Sequence, residues 1–122
     1  GSEMCIRDRM RAYMMNIKAG QFWVVNLPFT TFKETKKRPV LVLWLDGDDA
    51  VCAVVTSAKP RTVTDIALEN WKNSGLKVAS TVRLSRLDCL EKSLFIAKIG
   101  IISDEDGEKI KTTWTANIKP QF

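Results

Sequence analysis

The sequence predicts a mainly β, β-rich α+β fold: a small antiparallel barrel or curled sheet with one C-terminal α-helix. Three observations carry this. Period-two alternation dominates from Gly20 onward, as in strands that pack one face. Turn signals recur about every ten residues, which keeps the strands short and suits a barrel. The period changes only near the C-terminus, where Ile110, Trp114 and Ile118 recur at i, i+4 and i+8, the spacing of an amphipathic helix.

Each element follows from its residues. Residues 21–27, rich in Val and aromatics, read as a first strand that Pro28 ends. Residues 29–37 are a polar loop with three lysines. The apolar run 39–45 fits a strand buried on both faces, and residues 50–56 fit its hairpin partner, because Asp46-Gly47 suits a tight turn. A basic loop with Lys59 and Arg61 leads to a short strand over 64–68. Gly75 marks a loop over 71–77, and strands over 79–84 and 94–101 follow. Ser103 is a candidate N-cap, with Asp104, Glu105 and Asp106 favouring the helix N-terminus. Trp23, Trp44 and Trp114 fall on packed positions of these patterns. Trp71 is expected to anchor its loop or to face a partner.

The 122 residues are 45% hydrophobic and 27% charged, ordinary for one globular domain. The longest apolar runs, 40–45 and 50–55, have six residues each, against roughly 18 for a membrane span. There is no histidine, and Cys5, Cys52 and Cys89 are scattered. This argues against a zinc site and for reduced thiols in the cytoplasm. Gly1-Ser2 reads as a tag scar. Residues 1–15 read as a leader foreign to the domain, with Met10, Met14 and Met15 as candidate starts and residues 16–122 as a single domain. The net charge is +5, and residues 20–122 hold 15 basic against 12 acidic residues. That balance permits a polyanionic partner.

No nucleophile elbow, phosphate-binding glycine loop or zinc-protease helix occurs. The Asp46, Asp48 and Asp49 cluster reads as a solvated turn. What remains is a convergence across the hairpin. Lys36, Lys37 and Arg38 enter one strand where Thr56 and Ser57 leave its partner. A guanidinium fork beside two hydroxyls can cradle a phosphate. Taken singly, Arg38 suits a surface ion pair and Thr56-Ser57 a capped turn.

Five blocks resemble, in order and spacing, the MazF/PemK-like toxin family. They are Gly20-Gln-Phe-Trp-Val-Val-Asn-Leu-Pro-Phe29, Lys37-Arg-Pro-Val-Leu-Val-Leu43, Val55-Thr-Ser57, Gly75-Leu-Lys-Val-Ala-Ser-Thr-Val-Arg83 and Lys98-Ile-Gly-Ile-Ile-Ser103. The resemblance implies an SH3-like barrel, a homodimer, and a type II toxin–antitoxin endoribonuclease neutralised by an acidic antitoxin. It implies metal-independent cleavage of single-stranded mRNA to 2′,3′-cyclic phosphate and 5′-hydroxyl ends, with no cofactor. Arg38, Thr56 and Ser57 match catalytic positions, and Glu34 is the candidate base. Lys36, Lys37, Phe29, Ser80, Arg83 and Arg86 are the expected substrate contacts. Phe32 shares the lysine-bearing loop 29–37 with Phe29. Ser85 stands where some members carry an aspartate, and Arg86 where some carry a substrate-contacting glutamine. The alternatives on the same barrel are a non-catalytic RNA- or antitoxin-binding module and a CcdB-like gyrase poison.

Overall fold

The computed structural model describes residues 16–28 and 35–122. Among them are six strands and one α-helix: β1 (Gln21–Pro28), β2 (Thr35–Asp46), β3 (Asp49–Thr56), β4 (Asp65–Ala67), β5 (Thr81–Glu91), β6 (Phe95–Ile101) and α1 (Asp104–Asn117). A 3-10 turn, Lys92–Leu94, joins β5 to β6. The strands form one sheet in the order β4-β5-β3-β2-β1-β6, and every pairing is antiparallel. The expected leader, residues 1–15, lies outside the described residues, as do residues 29–34.

Each expected strand is present, and two run longer than their local patterns suggest. β2 begins at Thr35, so Lys36 and Lys37 are strand residues and not loop. The cause is β1, whose C-terminal half pairs with this segment through Val25↔Arg38, Asn26↔Lys37 and Leu27↔Lys36. β5 continues to Glu91. Its pairing with β3 passes from Val54↔Arg83 to Ala53↔Leu87, so residues 84–86 have no counterpart opposite. This three-residue bulge interrupts the alternation by which the rest of the strand could be recognised.

The sheet is packed on both sides. One core gathers Phe22, Leu41, Ala53, Val55, Val82 and Leu84 beneath Ile110 of α1. The other gathers Trp23, Val25, Val40, Val42, Cys52 and Phe95, with Trp23 edge-on to Phe95 at 5.7 Å between ring centroids. Two-sided burial explains why β3 is apolar at consecutive positions instead of alternating. Ile17 belongs to this second core. The chain enters β1 through Gln21, whose Oε1 accepts the indole N–H of Trp23 at 2.8 Å and the amide of Lys18 at 2.9 Å.

Trp44 departs from expectation. A register shift between Val42 and Trp44 leaves it 43% exposed, braced edge-on against Trp114 at 5.6 Å. Trp71 is half-buried against the first core, as a loop anchor would be.

The Ser103 cap is formed: its Oγ accepts the amide of Asp106 at 3.2 Å. Asp106 is fully buried and accepts the amides of Glu69 and Asn70 at 3.0 and 2.9 Å. It thereby fastens the segment after β4 to the helix. That segment crosses to β6, the far edge of the sheet. There the backbones of Ser74 and Gly75 lie so close to Ile99 and Gly100 that a Cβ on Gly100 would meet the Ser74 carbonyl oxygen. Gly75 turns with φ +92°, a conformation that suits glycine. The turn bridges the two edge strands and curls the sheet toward a barrel. No helix among the described residues is long and apolar enough to cross a membrane.

Candidate phosphate-binding cleft

Pro39 biases Arg38 toward extended backbone, which is the conformation β2 requires. Val40 pairs with Val54, so the start of β2 and the end of β3 lie at the same end of the sheet. Lys36, Lys37, Arg38, Thr56, Ser57 and Ser80 line one cleft there, about 500 Å³ in volume. Six of the expected site residues are thus brought together. Leu76, Val78 and Ile99 form apolar wall, and Lys77 adds a cation that local pattern did not single out. The signal for it was Gly75 followed by a lysine, since the turn at Gly75 brings this segment over the cleft.

The cleft is cationic. Among its described lining residues are four cations, Lys36, Lys37, Arg38 and Lys77, and no carboxylate. The ion pairs among the described residues lie elsewhere: Arg83 with Asp65, Lys109 with Glu69, and Lys111 with Glu108. Arg38 is half-buried, and a charge that is partly withdrawn from water acts more strongly than one in bulk solvent.

Thr56 both caps a turn and lines the cleft. Its Oγ1 accepts the amide of Ala58 at 3.2 Å, which orients the hydroxyl and leaves its proton to be donated. Ser57 is exposed beside it. Ser80 differs, because its hydroxyl donates to the Val78 carbonyl at 2.8 Å. Toward a ligand it can only accept, which does not suit a phosphate oxygen.

Two expected contacts lie apart from the cleft. Arg83 Nε faces Asp65 Oδ1 at 3.4 Å across β4 and β5, and the Asp65 side chain is 1% exposed. The same carboxylate accepts the Arg61 amide at 2.9 Å through Oδ2. Arg83 is therefore part of a clamp on the basic loop 57–64. Asp65 was missed because a lone acid opening a three-residue strand carries no local signature. Arg86 lines a neighbouring cavity that also includes Lys36 and Arg38. Phe29, Phe32 and Glu34 lie outside the described residues.

Thiol chemistry does not fit this region. Burial, with Asp88 and Cys89 nearby, pushes the Cys52 thiol up to about 12. Local desolvation and the carboxylates of Asp49 and Asp46 raise that of Cys89. Both are held as thiols near neutral pH, whereas nucleophilic attack needs the thiolate. Among the described residues no three Cys, Asp or Glu side chains are gathered as a metal-ligand set.

Residues 18–116 match the family described as PemK-like, MazF-like toxin of type II toxin-antitoxin system. No curated protein matches the chain in sequence. Several solved structures share the fold. An endoribonuclease in complex with its cognate antitoxin, from Mycobacterial species, superposes with a TM-score of 0.69 at 19% identity, covering 87% of this chain and 99% of that one. An endoribonuclease from Mycobacterial species gives 0.67 at 16%, covering 87% and 94%. The MazE-MazF crystal structure (Form-II) from Deinococcus radiodurans gives 0.67 at 16%, covering 82% and 93%.

Proposed function

The chain belongs to the PemK-like, MazF-like toxins of type II toxin–antitoxin systems, and from that premise we propose that it is an endoribonuclease whose reaction centre is the Arg38–Thr56 cleft. The observation that carries this reading is the meeting of Arg38, Thr56 and Ser57 in one cationic cleft. A gyrase poison needs no such pair, and a degenerate, purely binding relative would be expected to have lost it.

The chemistry demands little of the protein. RNA carries its own nucleophile, the 2′-hydroxyl. The site must hold the scissile phosphate in line with it and stabilise charge on the phosphoryl oxygens. Arg38 donates a planar fork to those oxygens. Thr56 donates through the proton left by its turn, and Ser57 adds a second hydroxyl. Lys36, Lys37 and Lys77 attract the flanking phosphates. Attack by the 2′-oxygen on phosphorus, with loss of the hydroxyl proton, breaks the bond to the 5′-oxygen, which takes up a proton as it leaves. The products carry a 2′,3′-cyclic phosphate and a 5′-hydroxyl. The charge is met by cationic side chains, so the step needs no metal.

The working assembly in this reading is a cytoplasmic homodimer, silenced by an acidic antitoxin whose charge complements the cleft. The test is incubation of the protein with a long single-stranded RNA, with and without EDTA, followed by end-group analysis. Cleavage that persists in EDTA and leaves cyclic phosphates is the expected result. A requirement for added divalent metal, or 5′-phosphate products, overturns the mechanism.

A further inference from the structure

Lys36 and Arg38 form a ridge, and a second cavity of about 850 Å³ lies against it, sharing both side chains. Its chemistry differs from that of the phosphate cleft. Leu27, Leu90 and Leu94 provide apolar wall, while Arg86, Asp88 and Glu91 bring charges of both signs. The bulge explains the meeting. β5 regains its register with β3 at Leu87, immediately after residues 84–86, which have no counterpart on β3. Arg86, at the end of the bulge, and Asp88, two residues on, then line the same cavity.

A pocket for backbone phosphate gains nothing from carboxylates, which repel it. Lys36 and Arg38 are shared with the phosphate cleft, so the charges this cavity adds are one guanidinium, Arg86, and the carboxylates of Asp88 and Glu91. With apolar walls they suit a nucleobase, which has two flat faces to bury and a polar edge to read. Resting on the nuclease reading above, we infer that this cavity reads the base next to the phosphate held by Arg38, and that the base is guanine. Guanine offers paired acceptors, O6 and N7, to the fork of Arg86. It also offers paired donors, N1–H and the N2 amine, to the carboxylate of Asp88. Adenine lacks the paired donors. Cytosine and uracil lack the N7 edge. The leucines cover the faces of the ring.

The probes are 2′-O-methyl uridine pentamers with G, A, C or U at the centre, which bind without being cut. Fluorescence anisotropy should show the G pentamer binding roughly five- to a hundredfold more tightly than the others, the range for one bidentate contact. Arg86→Ala and Asp88→Asn should each reduce that ratio toward one, with melting curves confirming that they fold. If one variant does not fold, the other decides. Equal binding of all four pentamers by the wild type, or a guanine preference that survives in the folded variants, overturns the inference. Cleavage of mixed-sequence RNA in parallel reports separately on the nuclease reading. Guanine-selective binding without any cutting supports the pocket and overturns that reading.

Discussion

The guanidinium of Arg83 meets the carboxylate of Asp65 at 3.4 Å, and this pair holds the loop that begins at the candidate reaction centre. The other Asp65 oxygen takes the Arg61 amide, so one buried side chain ties strand, loop and cation together. Arg83 therefore pairs with the side chain that fastens the loop following Ser57.

Asp65→Ala strands that amide and unpairs Arg83. We expect a loss of about 1–3 kcal/mol of stability, the cost of leaving such groups unmet. Asp65→Asn keeps one oxygen as an acceptor and should lose less. Denaturant melts of the two variants check the order. Equal, negligible losses would show that the clamp is unimportant.

Arg38 should be the position most sensitive for activity and a tolerant one for stability. Arg38→Ala removes a preorganised donor to a phosphate whose charge rises in the transition state, for which about 10²–10³ in rate is the usual scale. Arg38→Lys should not restore the wild-type rate, since an ammonium lacks the planar fork. Stability should change by less than about 1 kcal/mol, because the Arg38 side chain has no ion pair among the described residues and its backbone pairing with Val25 does not depend on it. Cleavage rates and melts of Arg38→Ala, Arg38→Lys and Thr56→Ala decide the matter. A folded Arg38→Ala protein that cuts at the normal rate removes the proposed centre.

Two glycines should respond in opposite directions to the same change. Gly100→Ala drives a methyl into the Ser74 carbonyl, backbone against backbone, and should destabilise by about 1–3 kcal/mol or more. Gly107 lies within α1 with nothing within 4 Å of an added Cβ. Gly107→Ala should stabilise by about 0.5–1 kcal/mol, the helix-propensity difference. Thermal melts of the two variants give the comparison, and a tolerated Gly100→Ala would mean that the turn does not press on β6.

The cysteines supply a pH dependence. The Cys52 thiol is raised in the folded state from 9.0 to about 12, so above pH 9 the unfolded chain releases a proton that the folded chain keeps. Unfolding therefore becomes easier as pH rises from 9 toward 12, with no such contribution below. A Cys52→Ala variant should show a flatter stability profile across that window. In a Cys5→Ser background at pH 8, iodoacetamide should label exposed Cys89 before buried Cys52, as peptide mapping will read. Faster labelling of Cys52 contradicts this burial.

The sequence determined by itself what local chemistry can express. Period-two runs mark the strands, Asp46-Gly47 the hairpin, Ser103 the helix start, and Arg38 and Thr56 the two ends that the hairpin brings together. These features act between near neighbours, so they can be read without the fold. Only the tertiary structure decided the rest. Lys36 and Lys37 joined β2 because β1 offered them partners, and the turn at Gly75 brought Lys77 to the cleft. Pairing with β4 set Arg83 opposite Asp65, and the three-residue bulge that follows it in β5 sent Arg86 to a second cavity, although only two residues separate them in the chain. A bulge is a mismatch between two strands distant in sequence, and neither strand alone records which residue will be left without a partner.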